Sequence, residues 1–465
     1  MTQPPDGQPL PQRYWAIATI ALGITMAVLD SAIANVALPT IARDLHTNAA
    51  FSIWVVNAYQ LAITISLLPL AALGDIIGYR RIYLAGLALF TFASLACALS
   101  HTLMLLALAR VLQGFGAAGI MSVNTALIRF IYPARMLGRG IGINAVVVSI
   151  SAAAGPTIAS GILSIAPWPW LFAVNVPIGI AAVAVGLRAL PKTPRSPHDF
   201  DVAGAALSAG AFGFLIAAID AGGHGAPALV SAAELAVALL CGYLLVRRER
   251  GRPAPLFPVD LLGIPMFALS VGTSICSFAA QMLALVALPF HLQRQFGYSA
   301  VETGLLITPW PLAITCTAPI AGRLADRFPA GLLGGIGLIV FAAGLIALAF
   351  LPEHPEFDDI AWRMAVCGVG FGFFQSPNNR AMIASAPRSR SGGASGMLGT
   401  ARLLGQTIGA ALVALLFGRL AAQATGCALF IAAGFALAAA AVSALRLFQI
   451  SPAGESVITP PSEAG

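Results

Sequence analysis

Apolar runs of about 20 residues recur along almost the whole chain, divided by short segments rich in Arg, Gly and Pro. An α-helix rises 1.5 Å per residue, so about 20 mostly apolar residues cross the hydrocarbon core of a bilayer. Fourteen such runs predict spanning helices over roughly 14–38, 50–71, 82–100, 102–124, 138–162, 168–190, 202–221, 228–246, 264–290, 300–321, 331–351, 361–384, 394–418 and 425–445. The first run lacks a basic segment before it and a small-residue cleavage site after it, so it reads as a retained helix and not a signal peptide.

The loops test this count. With the N-terminus inside, the cytoplasmic segments carry 19 Lys and Arg residues, including Arg13, Arg80, Arg81, Arg135, Arg252, Arg388 and Arg446. The outer segments carry only Arg43, Arg294, Arg363 and Arg419, and Arg110 and Arg402 fall within spans. Positive charge collects on the cytoplasmic side of spanning helices. One helix more or fewer would invert every later loop and erase the asymmetry. The expectation is an all-α, multi-pass protein of the cytoplasmic (inner) membrane, with both tails, 1–13 and 447–465, cytoplasmic and the lipid bilayer as its surroundings.

Composition agrees. Of the 465 residues, 58% are hydrophobic and 9% charged, against about 25% charged in soluble domains. The net charge of +7 resides in loop arginines and not on one face of a soluble domain, so no nucleic-acid partner is expected. Cys97, Cys241, Cys276, Cys316, Cys367 and Cys427 each stand alone in apolar sequence. They read as packing residues and not as a disulfide frame or metal site. The six histidines fall at span edges or in loops, so no metal or cofactor is expected. No P-loop is present, and Lys192 is the only lysine. Gly114-Phe115-Gly116-Ala117-Ala118-Gly119 matches a dinucleotide fingerprint but lies inside a predicted span, where small residues read as close helix packing. Gly393-Ala394-Ser395-Gly396 resembles an intramembrane protease motif, yet no histidine follows His354 to act as base. No enzyme is expected.

The chain echoes itself. Gly74-Asp75-Ile76-Ile77-Gly78-Tyr79-Arg80-Arg81 follows the second span, and Gly322-Arg323-Leu324-Ala325-Asp326-Arg327 follows the tenth. This predicts two six-helix bundles, residues 14–190 and 263–446. Between them, residues 191–262 hold two inserted helices flanked by the linkers Pro191–Pro197 and Arg252–Pro258. Paired repeats are a transporter signature, with the substrate site near the membrane midplane between them.

Asp30 is the clearest intramembrane acid and Arg110 an intramembrane cation. Each lies eight residues from the outer end of its span, about 12 Å deep at helical rise. At equal depth they are within reach of each other. A charge at that depth is a functional candidate by default. Burial and a neighbouring arginine pull a carboxyl in opposite directions, so movement of Arg110 would change the proton affinity of Asp30. Candidate cavity residues are the polar side chains within spans, Asn57, Gln60, Gln113, Gln281, Gln375 and Asn378, with Trp54 and Phe278 as stacking surfaces.

Three further stretches carry a resemblance. Leu29-Asp30-Ser31-Ala32-Ile33-Ala34-Asn35-Val36-Ala37-Leu38-Pro39, Arg110-Val111-Leu112-Gln113-Gly114-Phe115-Gly116-Ala117-Ala118 and Gly155-Pro156 resemble the helix 1, 4 and 5 motifs of the major facilitator superfamily. The match is to its 14-helix drug:proton antiporter family. Three departures are Ala71 where Gly is usual, Ile76 where a basic residue is usual, and Ala159-Ser160 for a Gly-Gly pair. The resemblance implies proton coupling through Asp30 and Arg110. It implies a cytoplasmic gate at Asp75, Gly78, Arg80, Arg81, Gly322, Asp326 and Arg327, and an antiporter motif at Gly155 and Pro156. The expected function is proton-driven efflux of small lipophilic compounds, cationic or neutral, with no obligate protein partner indicated. The alternatives are a dedicated exporter of one endogenous metabolite and, more remotely, a membrane sensor or enzyme.

Overall fold

The computed structural model describes residues 7–133, 136–193, 195, 200–223, 226–250, 257–387, 390–420 and 423–448. Arg135, Arg252 and Arg388, parts of both Pro-rich linkers and most of the two tails lie outside the described residues. Among the described residues the chain is all-helical. Fourteen long helices follow in order: α1 Gln12–Asp44, α2 Ala49–Ile77, α3 Tyr79–Ala98, α4 Leu103–Ile131, α5 Leu137–Ile165, α6 Trp170–Ala189, α7 Val202–Gly223, α8 Ala228–Glu249, α9 Pro265–Gln295, α10 Ala300–Leu324, α11 Ala330–Ala349, α12 Phe357–Ser385, α13 Ser391–Leu420 and α14 Ala424–Leu445. Thirteen are long and apolar enough to cross a membrane by composition alone. The fourteenth, α12, falls short because Asp358, Asp359 and Arg363 at one end and Gln375, Asn378, Asn379 and Arg380 toward the other shorten its apolar stretch.

Most helices outrun their apolar runs by several residues, because capping and not hydropathy sets a helix end. Asn48 caps the start of α2 by accepting the Phe51 N–H at 2.8 Å. Thr102 does the same for α4 from Leu105. Ser299 and Glu302 form a reciprocal capping box at the start of α10. Between α2 and α3 the chain turns at Gly78, whose φ of +102° favours glycine.

Helices α1 to α6 pack on one another, and α9 to α14 do likewise. Small residues set the closest crossings. A Cβ at Gly116 would sit 2.5 Å from the backbone N of Phe90 on α3, and one at Gly114 would sit 2.6 Å from the Tyr59 carbonyl on α2. The Gly-rich stretch of α4 is therefore a packing surface, as its position inside a span suggested. Helices α7 and α8 form a hairpin whose α7 lies against α2 and α13. Arg419 on α13 ties it there by donating to the Gly222 carbonyl at 2.7 Å.

One end of the molecule carries the Asp75 and Asp326 loops and most of the arginines, and is called here the basic face. Among the described residues, three side-chain hydrogen bonds join the two groups of helices: Thr64 to Thr407 at 3.2 Å, Thr157 to Thr308 at 2.9 Å, and Gln293 to the Val36 carbonyl at 3.2 Å. All lie at mid-depth or toward the opposite face. There α5 and α10 touch closely, since a Cβ on Gly304 would come 2.6 Å from the Pro156 carbonyl. Toward the basic face the same two helices expose Ile141, Val146, Ile150, Leu312 and Ile320. The two groups are thus joined most closely at the face opposite the arginines, and α5 and α10 contact each other less toward the basic face.

Candidate functional site

Asp30 on α1 and Arg110 on α4 meet. Arg110 Nη1 donates to Asp30 Oδ2 in a direct ion pair, with side-chain exposures of 0% and 1% respectively. The other carboxylate oxygen accepts from Gln113 Nε2 at 2.8 Å and Asn175 Nδ2 at 3.1 Å. Arg110 also donates to the Val55 carbonyl at 2.8 Å and to Gln113 Oε1 at 2.7 Å. Ser94 accepts a further bond from Gln113 at 2.9 Å. Five helices, α1, α2, α3, α4 and α6, therefore join in one hydrogen-bonded network around the ion pair, with α4 and α6 donating to the carboxylate itself. The Tyr59 ring lies 4.1 Å from the Arg110 guanidinium carbon, with Phe172 at 5.5 Å. Such stacking suits a planar, weakly hydrated cation.

A cavity of about 230 Å³ lies between the two groups of helices. Tyr59, Gln60, Phe278, Gln281, Gln375 and Arg402 are among its lining residues. The Tyr59 hydroxyl donates to the Ala27 carbonyl at 2.9 Å, which fixes the ring as a wall between cavity and ion pair. Asp30 and Arg110 do not line the cavity. Pro156 does, and a Cβ on Gly155 would come 2.4 Å from Ala32 Cβ, so α5 and α1 cross here at close range. Gln60 donates to Ser31 Oγ at 3.1 Å. Phe278 packs edge-on against Phe371, their centroids 5.2 Å apart.

The expected cavity set divides. Gln60, Phe278, Gln281 and Gln375 line the cavity, whereas Trp54, Asn57, Gln113 and Asn378 do not. Gln113 is turned toward Asp30 and holds the ion pair. Asn378 is buried against Arg446, which donates to its Oδ1 at 2.7 Å, and it donates to Ser274 Oγ at 2.8 Å. Asn57 is fully buried away from the cavity, and its amide atoms have no hydrogen-bond partner. Trp54 lies near the start of α2, well above the cavity wall formed by Tyr59 and Gln60. Polarity within a span identified the right residue type, but the rotation of each helix decided which way it faced.

Sequence reasoning left Arg402, Gln406, Tyr59, Trp310, Asn35 and Asn175 without a role. Arg402 lay within a span, as Asp30 does, but sixteen residues from the outer end of that span. It is the single charged residue among those lining the cavity. Its Nε is buried without a hydrogen-bond partner.

The loop acids stay within their own groups. Asp75 accepts from the Tyr79 hydroxyl, and Asp326 pairs with Arg380 on α12. Arg80 donates to the Leu187 carbonyl on α6. Gly78 turns the chain beside Thr193, whose hydroxyl accepts the Tyr79 N–H at 2.9 Å. Gly322, Arg81 and Arg327 sit at the same face, and no ion pair among the described residues crosses there between the two groups.

A buried ion pair one wall from a cavity, between two sets of six helices, is a transporter's arrangement, and the comparisons agree. The Major Facilitator Superfamily model matches residues 20–410 and 269–464. The chain is 59% identical to the uncharacterized transporter YebQ of Escherichia coli over 96% of this chain and 98% of that one. It is 30% identical to the riboflavin transporter RibZ of Clostridioides difficile, covering 88% and 89% of the two chains. With the multidrug resistance protein Stp of Mycobacterium tuberculosis it shares 33% identity over 85% and 74%. Helix order, internal echo, ion pair and these matches converge: the chain is a membrane transporter belonging to the Major Facilitator Superfamily.

Proposed function

We propose that the protein exports small lipophilic compounds across the cytoplasmic membrane in exchange for protons, by alternating access. The observation that carries the reading is the Asp30–Arg110 pair, desolvated and separated from the cavity by the single ring of Tyr59. In this reading the bundles of residues 14–190 and 263–446 rock about the cavity while 191–262 rides between them, and the basic face and both termini are cytoplasmic. The state described is then inward-open. Substrate enters from the cytoplasm or inner leaflet and reaches the cavity beside Tyr59. Substrate binding beside Tyr59 lets the bundles close at the basic face and open opposite. As the substrate leaves, a shift of Tyr59 moves the guanidinium stacked on it, and Asp30, losing its countercharge, takes a proton from outside, since an isolated carboxylate is costly in a low-dielectric interior. The protonated protein returns to the inward-open state, where the re-formed pair with Arg110 releases the proton to the cytoplasm.

In the closed state Asp75 and Asp326, with Gly78, Arg80, Arg81, Gly322 and Arg327, would latch across the two bundles. The inward-open state, where each acid pairs at home, is the complementary half of that cycle. Gly155 and Pro156 hold α5 against α1, which supports exchange by limiting leak along the α1–α5 seam. Similarity to Stp, which is named for multidrug resistance, supports efflux. Similarity to RibZ supports the second reading, a transporter dedicated to one metabolite.

The test is a resistance and accumulation panel in an efflux-deficient host, with and without a protonophore. Wild-type protein should lower accumulation of several lipophilic compounds, the protonophore should abolish the effect, and Asp30→Asn should match the protonophore. Full proton-driven export by Asp30→Asn would refute the coupling role. Tight transport of one compound alone would favour the dedicated transporter.

A further inference from the structure

The cavity's fixed charge is positive. Arg402 projects from α13 into it, part-exposed to the space, and among the described residues it has no ion-pair or hydrogen-bond partner. No carboxylate is among the lining residues. Asp30 sits behind Tyr59 and is already neutralised by Arg110. The rest of the lining adds N–H donors and aromatic faces. Gln60, Gln281, Gln375 and Gln406 bring amides, and the buried Trp310 Nε1–H has no acceptor.

A guanidinium lining a cavity without a countercharge leaves a donor array unmatched by protein, and its buried Nε without a partner costs free energy. A cationic substrate would raise that cost by repulsion. A substrate bearing a carboxylate, phenolate or sulfonate would remove it, because the planar guanidinium matches such an acceptor with two parallel N–H bonds. Phe278 and Phe371 supply an edge-to-face aromatic wall for the apolar remainder.

We infer that the preferred substrates of this cavity are lipophilic aromatic monoanions, with Arg402 as the group that binds their charge. The inference rests on this cavity being the transport site of the proposed exporter, and it replaces the cationic or neutral class expected from the sequence with an anionic one.

The experiment is equilibrium binding to the full-length protein in lipid nanodiscs, with empty discs subtracted. Three probes share one ring system and differ in charge: 2-naphthoate, 2-naphthamide and 2-naphthylmethylammonium. Wild-type protein should bind naphthoate at least about tenfold more tightly than the amide, and the ammonium more weakly than either. Arg402→Gln should weaken naphthoate by about tenfold or more, with naphthamide within about twofold of wild type. Arg402→Lys should retain the preference for the anion, which separates charge recognition from loss of fold. Absence of naphthoate binding, equal or tighter binding of the ammonium, or unchanged naphthoate affinity in Arg402→Gln would each overturn the inference. Binding in discs needs neither a gradient nor Asp30. A naphthoate preference dependent on Arg402 in a protein without proton-driven export would therefore sustain the substrate class while removing the coupling.

Discussion

Replacing Asp30 with Asn keeps the shape of the side chain and removes its charge, and the geometry makes the cost calculable. Asp30 accepts from three donors, Arg110 on one oxygen and Gln113 and Asn175 on the other. An asparagine has one acceptor and one donor end. In either orientation its NH2 faces N–H groups, so at least one donor–donor contact replaces a hydrogen bond. Arg110 stays charged, because a guanidinium does not deprotonate in proteins. Removing one partner of a buried pair costs about 3–5 kcal/mol, much of it from the stranded partner. The Val55 carbonyl and the Tyr59 ring still hold Arg110, which places Asp30→Asn near about 3 kcal/mol on that scale. Arg110→Gln strands a carboxylate instead, which can shed its charge by taking a proton. The double variant strands neither, so it should be less destabilised than the two single changes together, with a coupling of at least about 1.5 kcal/mol. Reversible denaturation in detergent micelles, followed by tryptophan fluorescence across the four proteins, measures that coupling. Strict additivity, or a cost below about 1 kcal/mol for Asp30→Asn, would refute the claim that the pair is a desolvated unit.

Gly304→Val should abolish transport and spread α5 from α10 at the face opposite the arginines, since its Cβ would lie 2.6 Å from the Pro156 carbonyl; spin-label distances across that seam report it. Thr64→Val should cost only about 0.6 kcal/mol of stability, an average value for interhelical bonds in membranes, so a loss of several kcal/mol in the same denaturation assay would be wrong for this site. The exposed Cys316 thiol should react with a membrane-permeant maleimide while buried Cys97 and Cys367 do not, as mass spectrometry of the intact protein would show. The Arg390 guanidinium donates to Asp260 at 2.8 and 2.7 Å and holds its carboxyl below the usual value of 3.8. A lowered carboxyl stabilises the fold above that usual value and loses its contribution as pH falls through the depressed one. The stability difference between wild type and Asp260→Asn should therefore be constant above pH ~5 and vanish in stronger acid.

Much of the architecture was legible because lipid imposes a simple rule, about 20 apolar residues per crossing. The exception is instructive. Helix α12 has charged residues near its start and Gln375, Asn378 and Arg380 further on, so it is less apolar than the other crossings, yet loop charge demanded a crossing there. Asp30 and Arg110 were legible because helical rise converts sequence offset into depth, and equal depth on adjacent helices suffices for contact. What hydropathy does not encode is rotation about the helix axis. Gln60 and Gln113 look alike in sequence, but one lines the cavity and the other holds the ion pair. Arg402 stood in plain view as a charge within a span, and only the packing of α13 revealed that it faces empty space and no acid.

The α7–α8 hairpin gives the molecule a spine. It lies along α2 and α13 and is tied down by Arg419, whereas among the described residues no such strap covers α5 and α10. A cleft bound on one long edge opens like a book. In the proposed rocking cycle, relative motion would then be smallest beside the hairpin and largest at the unbound edge, and molecules arriving sideways from the bilayer would meet a single doorway. A chain of twelve helices without the hairpin would have two such edges. The insert thus gives a pseudo-symmetric transporter a front and a back.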